Sequence, residues 1–479
     1  MDLPSPQLAW IDGQPLPAPG GATFATVDPS TEEVLAEVAR CGEEAVDTAV
    51  AGARRAFPGW RDLAPPERAG RIRAVARALA GRAEEFARLE TLDTGKPLSL
   101  ARSEVDGTVR YLDYYAGLAD KIHGESIPLG PGYLNYTVHE PVGVTGHIVP
   151  WNAPLNMVGR SLGPALAAGN TAVVKPAEQT PLTALRFGAL CREAGLPDGV
   201  YQVVPGFGTE AGAALAAHPG IDSLTFTGSV ATGRAVARAC ADRIRPVVLE
   251  LGGKSPQLVF ADADFDTVAA EVAKGIFTNT GQFCDAGSRL LVEESVREAL
   301  VERLVARAHA VDCGPGGDDP DMGPLISAEQ RDRVRGFLAR GEAEGARRLG
   351  PGPESVPGRG YFVPPTVFTG VRPDMAIARE EIFGPVLCVQ GFRDEAEAIA
   401  LANDTSYGLA AGIHTRDIDR AHRLAAALEA GYVMINEYFT GGIGSPFGGW
   451  KESGIGHERG LEAVHNYTRL KNVVVRVAR

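Results

Sequence analysis

The sequence predicts an α/β protein whose core is a parallel sheet with crossover helices. Three observations carry that prediction. From about residue 136, short apolar runs alternate with amphipathic stretches, the pattern of strands joined by helices that pack on both sheet faces. The 479 residues, 44% hydrophobic and 22% charged, are ordinary globular composition and enough for about three domains. Nothing suggests a stapled fold. Cys41, Cys191, Cys240, Cys284, Cys313 and Cys388 are scattered with no CxxC pair, and the histidines show no HExxH or HxxxH grouping, so neither a disulfide framework nor a metal site is expected.

In chain order, the Ala-, Arg-, Leu- and Glu-rich stretches 43–57, 65–92 and 98–121 are predicted helices. Strands are then predicted at 142–149, 171–175, 201–204, 223–227 and 246–251, with helices at 161–168, 181–194, 209–217 and 233–240 between them. A second α/β stretch runs from about 255 to 435, with the loops 312–323 and 350–360 as surface insertions. The tail 466–477 carries Val473-Val474-Val475 and reads as a late strand whose exposed edge invites pairing with another subunit.

Charge and termini narrow the function classes. The formal charge of −13 and the lack of a basic run argue against nucleic-acid and anionic-membrane partners. Met1-Asp2-Leu3-Pro4 lacks a basic n-region and an apolar h-region, and no run approaches the ~18 apolar residues of a membrane span. A cytoplasmic, reducing setting is expected. Two phosphate-loop signals fail. Gly206-Phe207-Gly208-Thr209-Glu210-Ala211-Gly212 is GxGxxxG rather than GxGxxG. Gly253-Lys254-Ser255 has Val248 where a P-loop needs glycine.

Four segments say more together than singly: Pro150-Trp151-Asn152, Leu249-Glu250-Leu251-Gly252-Gly253-Lys254, Gly281-Gln282-Phe283-Cys284 and Glu381-Ile382-Phe383-Gly384-Pro385. Lys175-Pro176-Ala177-Glu178, Phe226-Thr227-Gly228-Ser229 and Pro446-Phe447-Gly448-Gly449 join them. In this order they resemble the NAD(P)-dependent aldehyde dehydrogenase superfamily, from about residue 8 to 479. The resemblance implies an aldehyde dehydrogenase-like fold: a Rossmann-type cofactor domain over 1–119 and 139–250, an α/β catalytic domain over 251–430, and a small oligomerisation element over 120–138 and 460–479. It also implies a homo-oligomer, a dimer or homotetramer.

The chemistry can be argued beside the resemblance. An aldehyde does not surrender hydride while its carbon stays sp²; a nucleophile must first add, and a thiolate suits this because it leaves a thioester that water cleaves. Cys284 matches the family nucleophile. Cys191, Cys240 and Cys388 sit among apolar residues as core, and Cys41 and Cys313 read as surface or loop positions. Glu250 ends an apolar strand, where burial raises a carboxyl towards the range of a general base; by resemblance it activates the hydrolytic water. A glutamate here also disfavours transfer to coenzyme A, the competing enzyme reading. A non-catalytic protein on the same fold is the other alternative. Asn152 is the side-chain oxyanion donor.

By resemblance the cofactor is NAD, with NADP less favoured. Lys175 and Glu178 contact the adenosine ribose, Gly228 and Ser229 lead a helix N-terminus to the pyrophosphate, Glu381 holds the nicotinamide ribose, Phe383 backs the nicotinamide, and Trp151 joins the cofactor set. The funnel positions Gly107, Ala153, Asn156, Arg160, Thr278 and Gly441 are mostly small or polar, with Phe447 and Phe439 remaining, which suits a bulky or polar aldehyde. Arg160 resembles the arginine that clamps the carboxylate of semialdehydes, while the Asn152–Arg160 segment also resembles benzaldehyde- and vanillin-type enzymes. A structural ion pair of Arg160 is the third reading. Many relatives carry a lysine at Ser161, paired with the glutamate matching Glu458 in a proton relay; that lysine is missing here.

Overall fold

The protein is described here by a computed structural model covering residues 3–477. The first two residues of the amino-terminal segment and the last two of the 460–479 element lie outside it. Two sheets organise the chain. The first runs Gln14–Leu16, Ala9–Ile11, Tyr201–Val203, Thr171–Lys175, Val144–Ile148, Ser223–Thr227, Val247–Glu250, Gly454–Ile455. Its inner strands are parallel and its outermost ones antiparallel. Val144–Ile148 and Thr171–Lys175 are buried at every residue, as strands covered on both faces must be. The second sheet runs Arg347–Leu349, Thr366–Thr369, Val386–Phe392, Arg289–Glu293, Pro256–Val259, Ala410–His414, Tyr432–Ile435, parallel except at its first strand.

The sheet register places chemistry. Glu250 pairs with Thr227, and Ile148 with Phe226. The segments leaving these carboxyl ends, 149–153, 228–229 and 251–253, therefore emerge side by side, where open parallel sheets bind ligands.

Several expectations need correction. The stretch 65–92 is two helices, Pro65–Ala80 and Ala83–Thr94, because Arg82 leaves helical geometry at φ −123°. The helix predicted to run to 121 stops at Ala116. The stretch 209–217 opens as a π-helical turn, Gly208–Gly212, before Ala213–Ala217. Cys41 is fully buried rather than at the surface. Gly454–Ile455, assigned to no sheet from sequence, returns to the first sheet beside Val247–Glu250. The tail strand Thr468–Arg476 pairs antiparallel with Tyr133–Pro141 as a separate two-stranded ribbon.

Candidate active site

A cleft of about 620 Å³ lies between the two sheets, lined by Trp151, Asn152, Thr227, Gly228, Ser229, Glu250, Cys284, Glu381 and Phe383 among others. Cys284 follows an unusual turn. Asn279, Thr280 and Gly281 have φ of 52°, 58° and 71°, a left-handed run that costs non-glycine residues energy and persists only where surroundings enforce it. They do. Asn279 Nδ2 donates to Asn152 O at 3.0 Å, Thr280 Oγ1 to Gly323 O at 2.9 Å, and Gln282 Nε2 to Asn279 O at 3.0 Å. A Cβ at Gly281 would stand 2.1 Å from Gly384 O.

Burial, then Asp285, hold the Cys284 thiol well above its ordinary range, with Arg160 opposing. Glu250 lies 1% exposed at its strand end. Burial first, then Glu458, raise its carboxyl well above the usual range, while Arg160 and Arg459 pull it back. Neither oxygen of Glu250 has a hydrogen-bond partner among the described residues. A buried carboxyl with its acceptor sites unused and its pKa pushed up is equipped to take a proton.

The amide of Asn152 spends one N–H on Gln282 O at 2.8 Å and keeps a second for an oxyanion. Its own carbonyl accepts from Lys96 Nζ at 2.8 Å as well as from Asn279. Lys96, with no side-chain exposure, is ion-paired to Glu104. This support was not read from Gly95-Lys96-Pro97; only tertiary packing brings Lys96 to position 152.

The sugar- and phosphate-type groups are arranged as follows. Ser229 caps the helix Val230–Ala241, its Oγ accepting from Thr232 N at 3.3 Å, so that helix's free N–H groups face the cleft, an anion site of the usual kind. Glu381 accepts from Gly253 N at 2.9 Å, and burial raises its pKa to about 7. Side chains at Gly252 or Gly253 would collide with Glu381 Oε2 at 2.4 Å or Cys284 O at 2.3 Å, which accounts for the paired glycines. The rings of Trp151 and Phe383 meet edge to face at 5.2 Å. Lys175 Nζ donates to Glu178 at 2.8 Å. Glu178 lines a neighbouring cavity of about 330 Å³ with Phe24, Phe207 and Tyr361 rather than the main cleft. Gln330 and Arg333 also line the cleft; Gln330 Nε2 donates to Phe383 O at 2.7 Å and Arg333 to Glu381 O at 2.7 Å. Neither carried a motif.

Arg160 is placed differently from a substrate clamp. Its guanidinium, 5% exposed, is ion-paired to Glu458 and stands 3.9 Å from Glu250. Its Cζ lies 4.4 Å from the centre of the Phe447 ring, whose other cationic neighbour is Arg459 at 4.7 Å. Arg160 thus forms a buried ion pair with Glu458. Asn156 donates its amide to Glu104 O at 3.1 Å, and Ser161 donates to Met157 O at 3.1 Å. Among the described residues, no group of three or more His, Cys, Asp or Glu side chains could hold a metal, and no helix is long and apolar enough to cross a membrane.

Comparison with known proteins gives the chain its family. The profile of the aldehyde dehydrogenase family matches residues 17–473. An aldehyde dehydrogenase of Emericella nidulans is 47% identical over 95% of this chain and 92% of its own. A hydroxyisobutyraldehyde dehydrogenase of Mycolicibacterium austroafricanum is 46% identical over 98% and 94%. The solved NAD+ complex of an aldehyde dehydrogenase from Bacillus cereus superimposes with TM-score 0.96 at 47% identity, covering 98% of this chain and 96% of that one. The chain belongs to the aldehyde dehydrogenase family.

Proposed function

We propose that the protein oxidises an aldehyde to the free carboxylic acid with NAD+, through an acyl thioester on Cys284. The observation that carries this is the convergence of Cys284, Glu250 and Asn152 on one cleft with the anion-binding helix end at Ser229. The Cys284 proton passes to the Glu250 carboxylate, and the sulfur adds to the aldehyde carbon. The oxygen, now negative, takes the free N–H of Asn152. NAD+ supplies the acceptor for the hydride that leaves as the carbonyl re-forms. Glu250 loses the thiol proton to solvent; water then adds to the thioester, giving a proton to the freed Glu250 carboxylate, and the acid departs as the C–S bond breaks and leaves the Cys284 thiolate.

The cleft residues fit the cofactor. Helix N–H groups after Ser229 suit a pyrophosphate, Glu381 a ribose diol, and Trp151 and Phe383 a flat ring. Glu178, held by Lys175, accepts ribose hydroxyls and repels a 2′-phosphate, which favours NAD over NADP. For the aldehyde, Phe283 and Phe439, edge to face at 5.6 Å, supply ring surface; Phe447, expected to join them, is instead buried against Arg160 and Arg459. Arg160 is already neutralised, so a bulky uncharged aldehyde, aromatic rather than carboxylate-bearing, suits the site best. Exposed Leu134, Leu470, Val474 and Val475 on the two-stranded ribbon support a homo-oligomer, and six cysteines free of disulfides suit a reducing cytoplasm.

The test is product analysis across benzaldehydes, aliphatic aldehydes and semialdehydes, with and without coenzyme A. Free acid, one NADH per aldehyde and best turnover on aromatic aldehydes are expected. A coenzyme A thioester as product refutes the hydrolytic reading.

A further inference from the structure

We propose that Arg160 is a positioning residue for the hydrolytic step: it bridges Glu458 and the general base Glu250 and keeps the base able to ionise in a buried site. The inference rests on the hydrolytic role proposed for Glu250.

Arg160, Glu250 and Glu458 are 5%, 1% and 3% exposed at their side chains. Two carboxylates that close together in a dry interior cannot both carry charge without a cation between them. Arg160 is that cation, with Nε on Glu458 and NH2 3.9 Å from Glu250. The Phe447 face against its guanidinium fixes its plane. Arg459, on that ring's other cationic contact, and Asp285, beside the nucleophile, are the remaining charged groups felt by Glu250; Cys284 and Tyr111 face Arg160 from its other neighbours. Arg459 and Asp285 form no ion pair within 4.0 Å among the described residues, so neither replaces Arg160 between the two glutamates.

The unused acceptor sites of Glu250 mark the space beside it as one for water rather than for packing. A guanidinium does not release its proton, so Arg160 passes none on. The proton that Glu250 takes from water leaves to solvent by Glu458 or by water, and Arg160 sets only the pH at which Glu250 is free to accept it.

The experiment is the pH dependence of thioester hydrolysis in wild type, Arg160→Met, Glu458→Gln and the double variant. Hydrolysis is timed by rapid quench of the acylated enzyme, with an uncharged aromatic aldehyde and with a carboxylate-bearing one. Removing the cation should raise the hydrolysis midpoint by about one pH unit or more, removing Glu458 should lower it, and the double variant should fall between. Should Arg160→Met not fold, Glu458→Gln decides alone: a lower midpoint supports the proposal and an unmoved one overturns it. Midpoints that stay put, or move the same way in both single variants, overturn it. So does a loss confined to the carboxylate-bearing aldehyde, which would return Arg160 to the substrate. Acylation of wild-type Cys284 is read in the same quench. Its absence would instead refute the thioester reading itself.

Discussion

Lys96→Met tests how deep the support of Asn152, the proposed oxyanion donor, runs. The wild-type ammonium has no exposed side-chain surface, pairs with Glu104 at 9% exposure, and donates to Asn152 O at 2.8 Å. Removing one partner of a buried pair strands the other charge, which costs about 3–5 kcal/mol. Burial already raises Glu104, so in the variant it takes up a proton to escape that cost. The folded form then holds a proton the unfolded chain releases above its ordinary carboxyl pKa, and the destabilisation must grow as pH rises from about 5 to 8. Asn152 O keeps its bond from Asn279 at 3.0 Å, so the oxyanion donor is loosened rather than lost. A fall in kcat of about 10- to 100-fold with little change in KM is expected, against ~10²–10³ for losing such a donor outright. Urea unfolding at pH 5.5 and 8, with Glu104→Gln and the double variant completing the cycle, reads the stability part. A loss under about 1 kcal/mol with no coupling to Glu104, or unchanged kcat, would refute the reasoning.

Gly281→Ala, with φ 71° and a Cβ 2.1 Å from Gly384 O, should displace the Cys284 turn and abolish labelling of Cys284 by iodoacetamide at the wild-type rate; peptide mapping checks this. If Glu381, pushed up to about 7 by burial, holds the ribose as proposed, it accepts hydroxyls best when ionised, so NAD+ binding should weaken as pH falls below 7, up to tenfold per unit, and Glu381→Gln should bind weakly at all pH values in fluorescence titration. Burial lowers His414 to about 4. Its stabilising effect is full above about 6.5 and lost as pH falls, so wild type should lose about 3 kcal/mol relative to His414→Gln between pH 7 and 4, measured by urea midpoints.

The strand stretches were legible where residues are apolar on both faces. Thr171–Lys175 and Ser223–Thr227 fell where predicted, the first around the apolar run Ala172-Val173-Val174 and the second as a short stretch of β-branched and aromatic residues. Helix ends were less legible: the break at Arg82 carries no proline, and its one local mark is Gly81, the cap of the preceding helix. Of the site, Cys284, Glu250 and Asn152 do line one cleft with Trp151, Gly228, Ser229, Glu381 and Phe383, since motif order already constrained them. Arg160 shows the limit of sequence reading best, since a carboxylate clamp, an aromatic-aldehyde pocket and a structural ion pair all stayed open there. A sequence shows that an arginine stands at a funnel position, but its partner Glu458 is nearly three hundred residues away, and only folding decides whether the guanidinium faces substrate or a buried carboxylate. Lys96, Gln330 and Arg333 act through backbone carbonyls, contacts that no residue pattern announces.

The most direct test lies at the sulfur. Enzyme mixed with aldehyde and NAD+ and quenched in acid within the first turnover should yield the Cys284 peptide heavier by the acyl group, with Cys284→Ser giving neither adduct nor NADH. An unmodified Cys284 peptide during full turnover, or normal NADH formation by the serine variant, would contradict the account.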